Sequence, residues 1–189
     1  MRETGRGPED LVILDRDGVI NEDSATYIKS PEEWRRLPGS LEAIALLGAA
    51  GFEIAVATNQ SGIGRGLFTE ATLSAINAKM RAELAAAGGR LFGIYHCPHR
   101  PDEGCSCRKP APGLLRQIAQ ELGVPLTGVP VIGDKRSDLE AAEAVGARPI
   151  LVLTGQGERT LRAAGAGRYE TYSDLAAAAT QLIGERAGR

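Results

Sequence analysis

The chain has 189 residues, 43 % hydrophobic and 4 % aromatic, with 22 Lys plus Arg against 24 Asp plus Glu. That length suits one domain with a full core that needs no disulfide staples. A net charge of -2 gives no reason to expect a nucleic-acid backbone as partner, few aromatics argue against a base-stacking platform, and no apolar run is long enough to span a bilayer.

Residues 1–10 are polar, carry no apolar signal core and read as a loose leader, with a single domain over 11–189. Leu11-Val-Ile-Leu14 is a continuous apolar run, as in a strand buried within a parallel sheet, and it runs into Asp15-Arg-Asp17-Gly18. The polar stretch 21–38 reads as a loop over that strand end, anchored by Trp34. Ser40 is placed to cap a helix over 41–50, which Gly51 ends. A second strand over 52–57 ends at Thr58-Asn-Gln-Ser-Gly62, followed by a glycine-rich turn that carries Arg65. Thr69 caps a long helix to Ala87. A third strand over 91–96 leads into a Pro/Cys/His loop. A helix over 113–122, a strand over 129–132 ending in Gly133-Asp134, a helix over 137–145 and a fifth strand over 149–153 follow. Residues 155–168 are rich in Gly and Arg and partly irregular, and Ser173 is placed to cap a last helix through Ile183. This alternation predicts an α/β fold, a mostly parallel sheet with helices on both faces, and functional groups gathered at the carboxyl ends of its strands.

Those strand ends carry a coherent chemistry. Asp15 is placed to attack phosphorus as a nucleophile. A phosphate approaches a carboxylate only past a neutralising cation, and Asp15, the backbone carbonyl of Asp17 and Asp134 are hard oxygen ligands suited to Mg²⁺. The Thr58 hydroxyl can bind phosphoryl oxygens, and Lys109 can neutralise charge in the transition state. Asp17 can protonate the leaving oxygen and later deprotonate water; for that it must begin protonated, a state that neighbouring carboxylates favour. Arg65, Arg108 and Lys135 are more cations than one phosphate needs and fit a second. Singly, each of these residues is ordinary for a strand end or a surface; their order at successive strand ends gives them weight.

Cys97-x-His99-x₅-Cys105-x-Cys107 offers four ligands in one short loop, suited to a closed tetrahedral Zn²⁺ that is structural rather than catalytic. The alternative is a metal-free loop with incidental cysteines. A disulfide would leave one thiol over, and reduced thiols suit a cytoplasmic protein.

Asp15-x-Asp17-Gly18, Thr58-Asn59, Arg108-Lys109-Pro110 and Gly133-Asp134-x-x-x-Asp138 resemble the four motifs of the haloacid dehalogenase superfamily. Leu14-Asp-Arg-Asp-Gly-Val-Ile-Asn21, Thr58-Asn-Gln-Ser-Gly-Ile63, Cys97-Pro-His99 and Gly133-Asp-Lys135 look like its heptose 1,7-bisphosphate 7-phosphatases, which share most of these motifs with histidinol-phosphate phosphatases. The resemblance implies a Rossmann-like sheet and an aspartyl-phosphate intermediate. It implies a small phosphorylated sugar as substrate, in nucleotide-heptose biosynthesis. It also implies substrate contacts at Asp23, Ser24, Ala25, Thr26, Thr58, Asn59, Gln60, Ser61, Arg108 and Lys135. No connection has room for a folded cap domain, so loops alone are expected to cover the site of a monomer. A zinc-organised binding module without turnover and a polynucleotide 3′-phosphatase stand as the rival readings.

Overall fold

The computed structural model describes residues 7–188. The elements are β1 (Leu11–Leu14), α1 (Ser40–Ala49), β2 (Glu53–Asn59), α2 (Glu70–Ala86), β3 (Gly93–Cys97) and α3 (Gly113–Leu122). After them come β4 (Pro130–Gly133), α4 (Arg136–Glu143), β5 (Arg148–Val152), α5 (Gly157–Ala164), β6 (Glu170–Tyr172) and α6 (Leu175–Ala187).

β1 sits in the middle of the sheet because both of its faces can be covered. Val12 and Leu14 pack with Leu41, Ile44, Ile76 and Leu182 from α1, α2 and α6. Leu11 and Ile13 pack on the other face with Leu114, Ile118 and Ala141 from α3 and α4. Each such side chain contributes on the order of 1.5–3 kcal/mol by leaving water. The sheet has six strands in the order β3-β2-β1-β4-β5-β6, and all pairings are parallel. The chain winds outward from β1 to β3, then crosses back to β4 and winds the other way. β1 and β4 therefore flank the switch point, where sheets of this kind bind ligands beyond their carboxyl ends.

The predicted strands shift by a residue or two at their ends, and one was missed. β6 is a three-residue edge strand, Glu-Thr-Tyr, too short and polar for a periodic signal. Arg148 ties it in place, donating to Glu170 at 2.6 and 2.7 Å and to Glu185 of α6 at 2.7 and 2.8 Å. The expected irregular stretch after β5 contains α5.

Two expected caps are corrected. Gly39 stands at the N-cap of α1, while the Ser40 hydroxyl lies 2.6 Å from the Ile20 carbonyl and fastens the helix to the β1 loop. Asp174, not Ser173, caps α6, accepting from the Ala177 N–H at 2.8 Å. Thr69 caps α2 as expected. Residues 1–6 of the expected leader lie outside the described residues. Its last three form a helical turn, not a loose end, because Arg186 grips Asp10 at 2.7 Å.

The connection 15–39 holds no helix or strand, and Trp34 buries its indole beneath it as the predicted anchor.

Candidate active site

Since β1 and β4 are neighbours, Asp15 and Asp134 emerge side by side. Lys109 arrives from the loop before α3. Its ammonium lies 3.0 Å from Asp15 Oδ1, 2.6 Å from Asp138 Oδ1 and 2.5 Å from the Ala57 carbonyl. The Asn59 amide holds the Lys109 backbone in both directions, at 3.0 and 3.1 Å, so the end of β2 fixes where that lysine points.

Asp134 is fully buried under the cavity floor. A Cβ on Gly18 or on Gly155 would lie 2.2 Å from its Oδ2, so only glycine lets these two turns close around it. The Gln156 N–H donates to the same oxygen at 2.7 Å, and the Thr160 hydroxyl donates to the Asp134 carbonyl at 2.7 Å.

A cavity of about 530 Å³ opens above these groups. Its lining gathers Asp15, Asp17, Asp23, Ser24, Ala25, Thr58, Asn59, Gln60, Ser61, Arg108, Lys109 and Lys135 from the predicted set. Two predicted contacts are not brought in. Thr26 is exposed and turned toward Ser24, and Tyr27, at φ 68, lines the cavity in its place. Arg65 is exposed on a turn that folds back against the next loop, where the Gly64 N–H donates to Pro98 at 3.0 Å. The surplus of cations expected for a second phosphate thus shrinks to Arg108 at the rim, because Lys135 is engaged by carboxylates. A larger cavity, about 630 Å³, opens at the opposite, amino ends of the strands. Its arginines are already paired with Asp10, Glu170 and Glu185, and the cluster of Asp15, Asp134 and Asp138 lies away from it.

The charges order themselves by burial and pairing. Burial works against the charge on Lys109, but Asp138 and Asp15 outweigh it and hold the ammonium protonated. Burial pushes the Asp134 carboxyl up to about 7 against the pull of Lys135, and Asp15 and Asp138 add to the rise. Asp17 differs from expectation. Burial works against its ionisation, yet the Arg16 guanidinium, Asn21 and Gln60 hold it below the usual carboxylate range. It therefore rests ionised: its own motif supplies a counter-charge that the carboxylate neighbours do not overcome.

Two groups of side chains have metal-ligand geometry. The Lys135 ammonium lies 2.8 Å from the Asp17 carbonyl, 3.0 Å from Asp134 Oδ1 and 3.7 Å from Asp15 Oδ2. These oxygens converge on one positive charge, and the excess of carboxylates around it suits a divalent cation with oxygen ligands. Asp138 lies within the same acidic group, but its Oδ1 holds Lys109.

Cys97, His99, Cys105 and Cys107 present ligand atoms all within 4.8 Å of one another. Cys97 Sγ is 3.6 Å from Cys105 Sγ, and His99 Nδ1 is 3.3 Å from Cys107 Sγ. A tetrahedral zinc with sulfur at ~2.3 Å has edges of about 3.8 Å, so the ligands must spread to close on one ion, most of all Cys97 and Cys107, whose sulfurs lie 3.1 Å apart. No disulfide joins these thiols.

Sequence reasoning missed Arg16, Asn21, Tyr27 and Gln156. Arg16 and Asn21 sit inside a recognised motif at positions with no periodic signal. Gln156 follows Thr154-Gly155 at a strand end, the same kind of signal as Gly18, within a stretch read as irregular.

A parallel sheet with a lysine-held aspartate at its switch point defines a phosphatase of the haloacid dehalogenase type. The HAD-hydrolase-like family model matches residues 106–178. The D-glycero-beta-D-manno-heptose-1,7-bisphosphate 7-phosphatase of Pseudomonas putida is 57 % identical over 173 residues, covering 92 % of this chain and 99 % of that protein. The enzyme of the same name from Bordetella bronchiseptica is 53 % identical over 176 residues, covering 93 % of this chain and 98 % of its own. A crystal structure of the D,D-heptose 1,7-bisphosphate phosphatase from B. bronchiseptica, complexed with magnesium and phosphate, superposes with a TM-score of 0.90 at 53 % identity, over 93 % of this chain and 99 % of that one. The chain belongs to this heptose-bisphosphate phosphatase family within the haloacid dehalogenase-like hydrolases.

Proposed function

We propose that the chain hydrolyses the 7-phosphate of D-glycero-D-manno-heptose 1,7-bisphosphate in nucleotide-heptose biosynthesis. The observation that carries the reading is Asp15: buried, at the switch point, with Lys109 3.0 Å from one oxygen, Lys135 3.7 Å from the other and Asp134 in the same acidic group. Its carboxylate attacks phosphorus, the sugar oxygen leaves, and water then cleaves the aspartyl-phosphate. Thr58 and nearby backbone N–H groups hold the phosphoryl oxygens while Lys109 offsets charge in the transition state. Asp15, the Asp17 carbonyl and Asp134 would hold Mg²⁺, which supplies the neutralisation that lets an anionic phosphate approach a carboxylate.

Asp17 is the acid and later the base, although it rests ionised. A bound phosphate adds negative charge beside it, which raises its hold on a proton, and a phosphate monoester with a second pKa near ~6 can bring that proton in. Cys97, His99, Cys105 and Cys107 would hold a structural Zn²⁺ that fixes the backbone feeding Arg108 and Lys109 into the cavity. Among the described residues no helix is long and apolar enough to cross a membrane. Unpaired thiols suit the cytoplasm, and the protein is read as a monomer.

The test is phosphate release from both anomers of the heptose bisphosphate and from histidinol phosphate, with wild type and Asp15→Asn. Wild type should prefer a heptose bisphosphate, and the variant should lose nearly all turnover while folding normally. Faster turnover of histidinol phosphate would reassign the substrate, and activity within tenfold in the variant would remove Asp15 from the mechanism.

A further inference from the structure

We propose that Arg16 is a positioning residue for proton transfer: its guanidinium fixes the plane and direction of the Asp17 carboxylate relative to a phosphate on Asp15. The inference rests on the reading of Asp17 as acid and base.

Arg16 is wholly buried, among the largest side chains in the protein to be so. It cannot touch substrate, so any effect on the reaction passes through a neighbour. Its Nε donates to Asp17 Oδ1 at 2.9 Å and its Nη2 to Asp17 Oδ2 at 3.1 Å, a two-point engagement of the carboxylate. The remaining arm, Nη1, donates to Asn77 Oδ1 on α2 at 3.3 Å, so the fork itself is tethered. Its backbone carbonyl accepts from Ile20 at 2.8 Å and lies within reach of Val19 and Asn21, which locks the turn that carries both residues.

A counter-ion alone would need only proximity, as a lysine supplies. Two parallel bonds from a planar group also fix a plane, and a lysine cannot reproduce that. Asp17 is then completed from either side: Asn21 donates to Oδ1 at 2.9 Å and Gln60 to Oδ2 at 2.8 Å. Gln60 lines the cavity with Asp17 while Asn21 and Arg16 do not, so of these three donors Gln60 is the one on the cavity side.

The step that depends on this direction is explicit. As Asp15 bonds to phosphorus, the bond to the sugar oxygen breaks, its electron pair stays on that oxygen, and the Asp17 acid gives it a proton. In the second step the Asp17 carboxylate takes a proton from the water whose oxygen attacks phosphorus, and the bond to Asp15 breaks. Both transfers tolerate little error in position; a misplacement of about 1 Å is worth roughly 10²-fold in rate.

The experiment measures kcat/KM for the heptose bisphosphate and for p-nitrophenyl phosphate, whose leaving group needs no proton. That ratio ends at departure of the leaving group, so the later hydrolysis does not enter. Arg16→Lys keeps a charge and loses the fork; Asn77→Leu loses only the tether; Asp17→Asn is the control for the underlying reading. Arg16→Lys should lower kcat/KM for the sugar about 10²-fold, change that for p-nitrophenyl phosphate less than about threefold, and leave calorimetric affinity for inorganic phosphate unchanged. Asn77→Leu should shift the same ratio in the same direction by less. Equal losses on both substrates, or none, would overturn the proposal. If Arg16→Lys does not fold by circular dichroism, Asn77→Leu decides alone, and an unchanged ratio there refutes the role. If Asp17→Asn itself shows no dependence on leaving group, the acid–base reading falls and the proposal with it. If Asp17→Asn shows that dependence and the Arg16 and Asn77 variants do not, only the proposal falls.

Discussion

Lys109→Met keeps the length of the side chain and removes its charge. In the folded protein that charge faces Asp15 at 3.0 Å and Asp138 at 2.6 Å, and both carboxylates are at most 5 % exposed. Without it, two buried carboxylates and the Ala57 carbonyl lose their shared partner. Removing one member of a buried pair costs about 3–5 kcal/mol, much of it for the charge left behind. For a domain of this size each kcal/mol moves the midpoint by about 2–4 °C, so Tm should fall by roughly 6–20 °C. Asp138→Asn, added to Lys109→Met, removes one orphaned charge and keeps an acceptor for the Lys135 N–H, which Asp138 Oδ2 now accepts at 3.0 Å. The double variant should regain about 1–2 kcal/mol, within the usual range of coupling between touching residues. Urea unfolding at pH 8 without added Mg²⁺ measures both. A single variant within about 1 kcal/mol of wild type would show that the lysine is not the counter-charge of this cluster, and so would a double variant no more stable than the single one.

Purified protein should carry about one zinc per chain, and Cys107→Ser should lose it together with roughly 10–100-fold in turnover while circular dichroism stays near wild type; full activity in zinc-free protein would refute the supporting role. Gly155→Ala puts a methyl 2.2 Å from Asp134 Oδ2 and 2.6 Å from the Gly18 backbone, at φ +58. Its Mg²⁺ affinity, read by calorimetry, should fall by roughly 10–100-fold, and an unchanged value would contradict the packing. Asp134, pushed up to about 7 by burial and by Asp15 and Asp138, binds more protons folded than unfolded between its ordinary value of 3.8 and that point. Its contribution to the stability of Mg²⁺-free protein is therefore present at low pH and lost as pH rises through about 7, a slope that Asp134→Asn should flatten in Tm measured against pH. Asp17 acts with the opposite sign, stabilising above its ordinary value and losing that contribution as pH falls through its lowered one.

The sheet was legible because its central strands are apolar throughout and end in short polar motifs. Leu11–Leu14 could belong nowhere but a two-sided core. β6 was not legible, since three edge residues held by Arg148 depend on a partner 22 residues away in sequence. The gathering of the candidate groups was legible for the same reason as the strands: Asp15, Thr58 and Asp134 sit where an apolar run stops. What surrounds them was not. The ionised state of Asp17 depends on Arg16 pointing inward, and an arginine in a sequence reads as a solvated one. Arg65 read as a phosphate ligand because charge is visible in sequence and the direction of a turn is not.

The connection between β1 and α1 is pinched at its neck. The Leu37 N–H donates to Ile20 and the Glu22 N–H to Arg35, each at 2.9 Å, so everything between Glu22 and Trp34 is an excursion that leaves and returns to one place. Doubling the length of such a closed loop costs only about 0.6 kcal/mol in chain entropy. The neck fixes where the excursion starts and ends beside Asp15 and Asp17, and Asp23 reaches back from it to within 3.3 Å of the Lys135 ammonium. This stretch, which carries Asp23, Ser24, Ala25 and Tyr27 into the cavity, can therefore gain or lose residues at little cost in chain entropy as long as Ile28 keeps its place in the core. The wall of the cavity can thus be rewritten through the excursion alone, with Asp15 and Asp17 left in register.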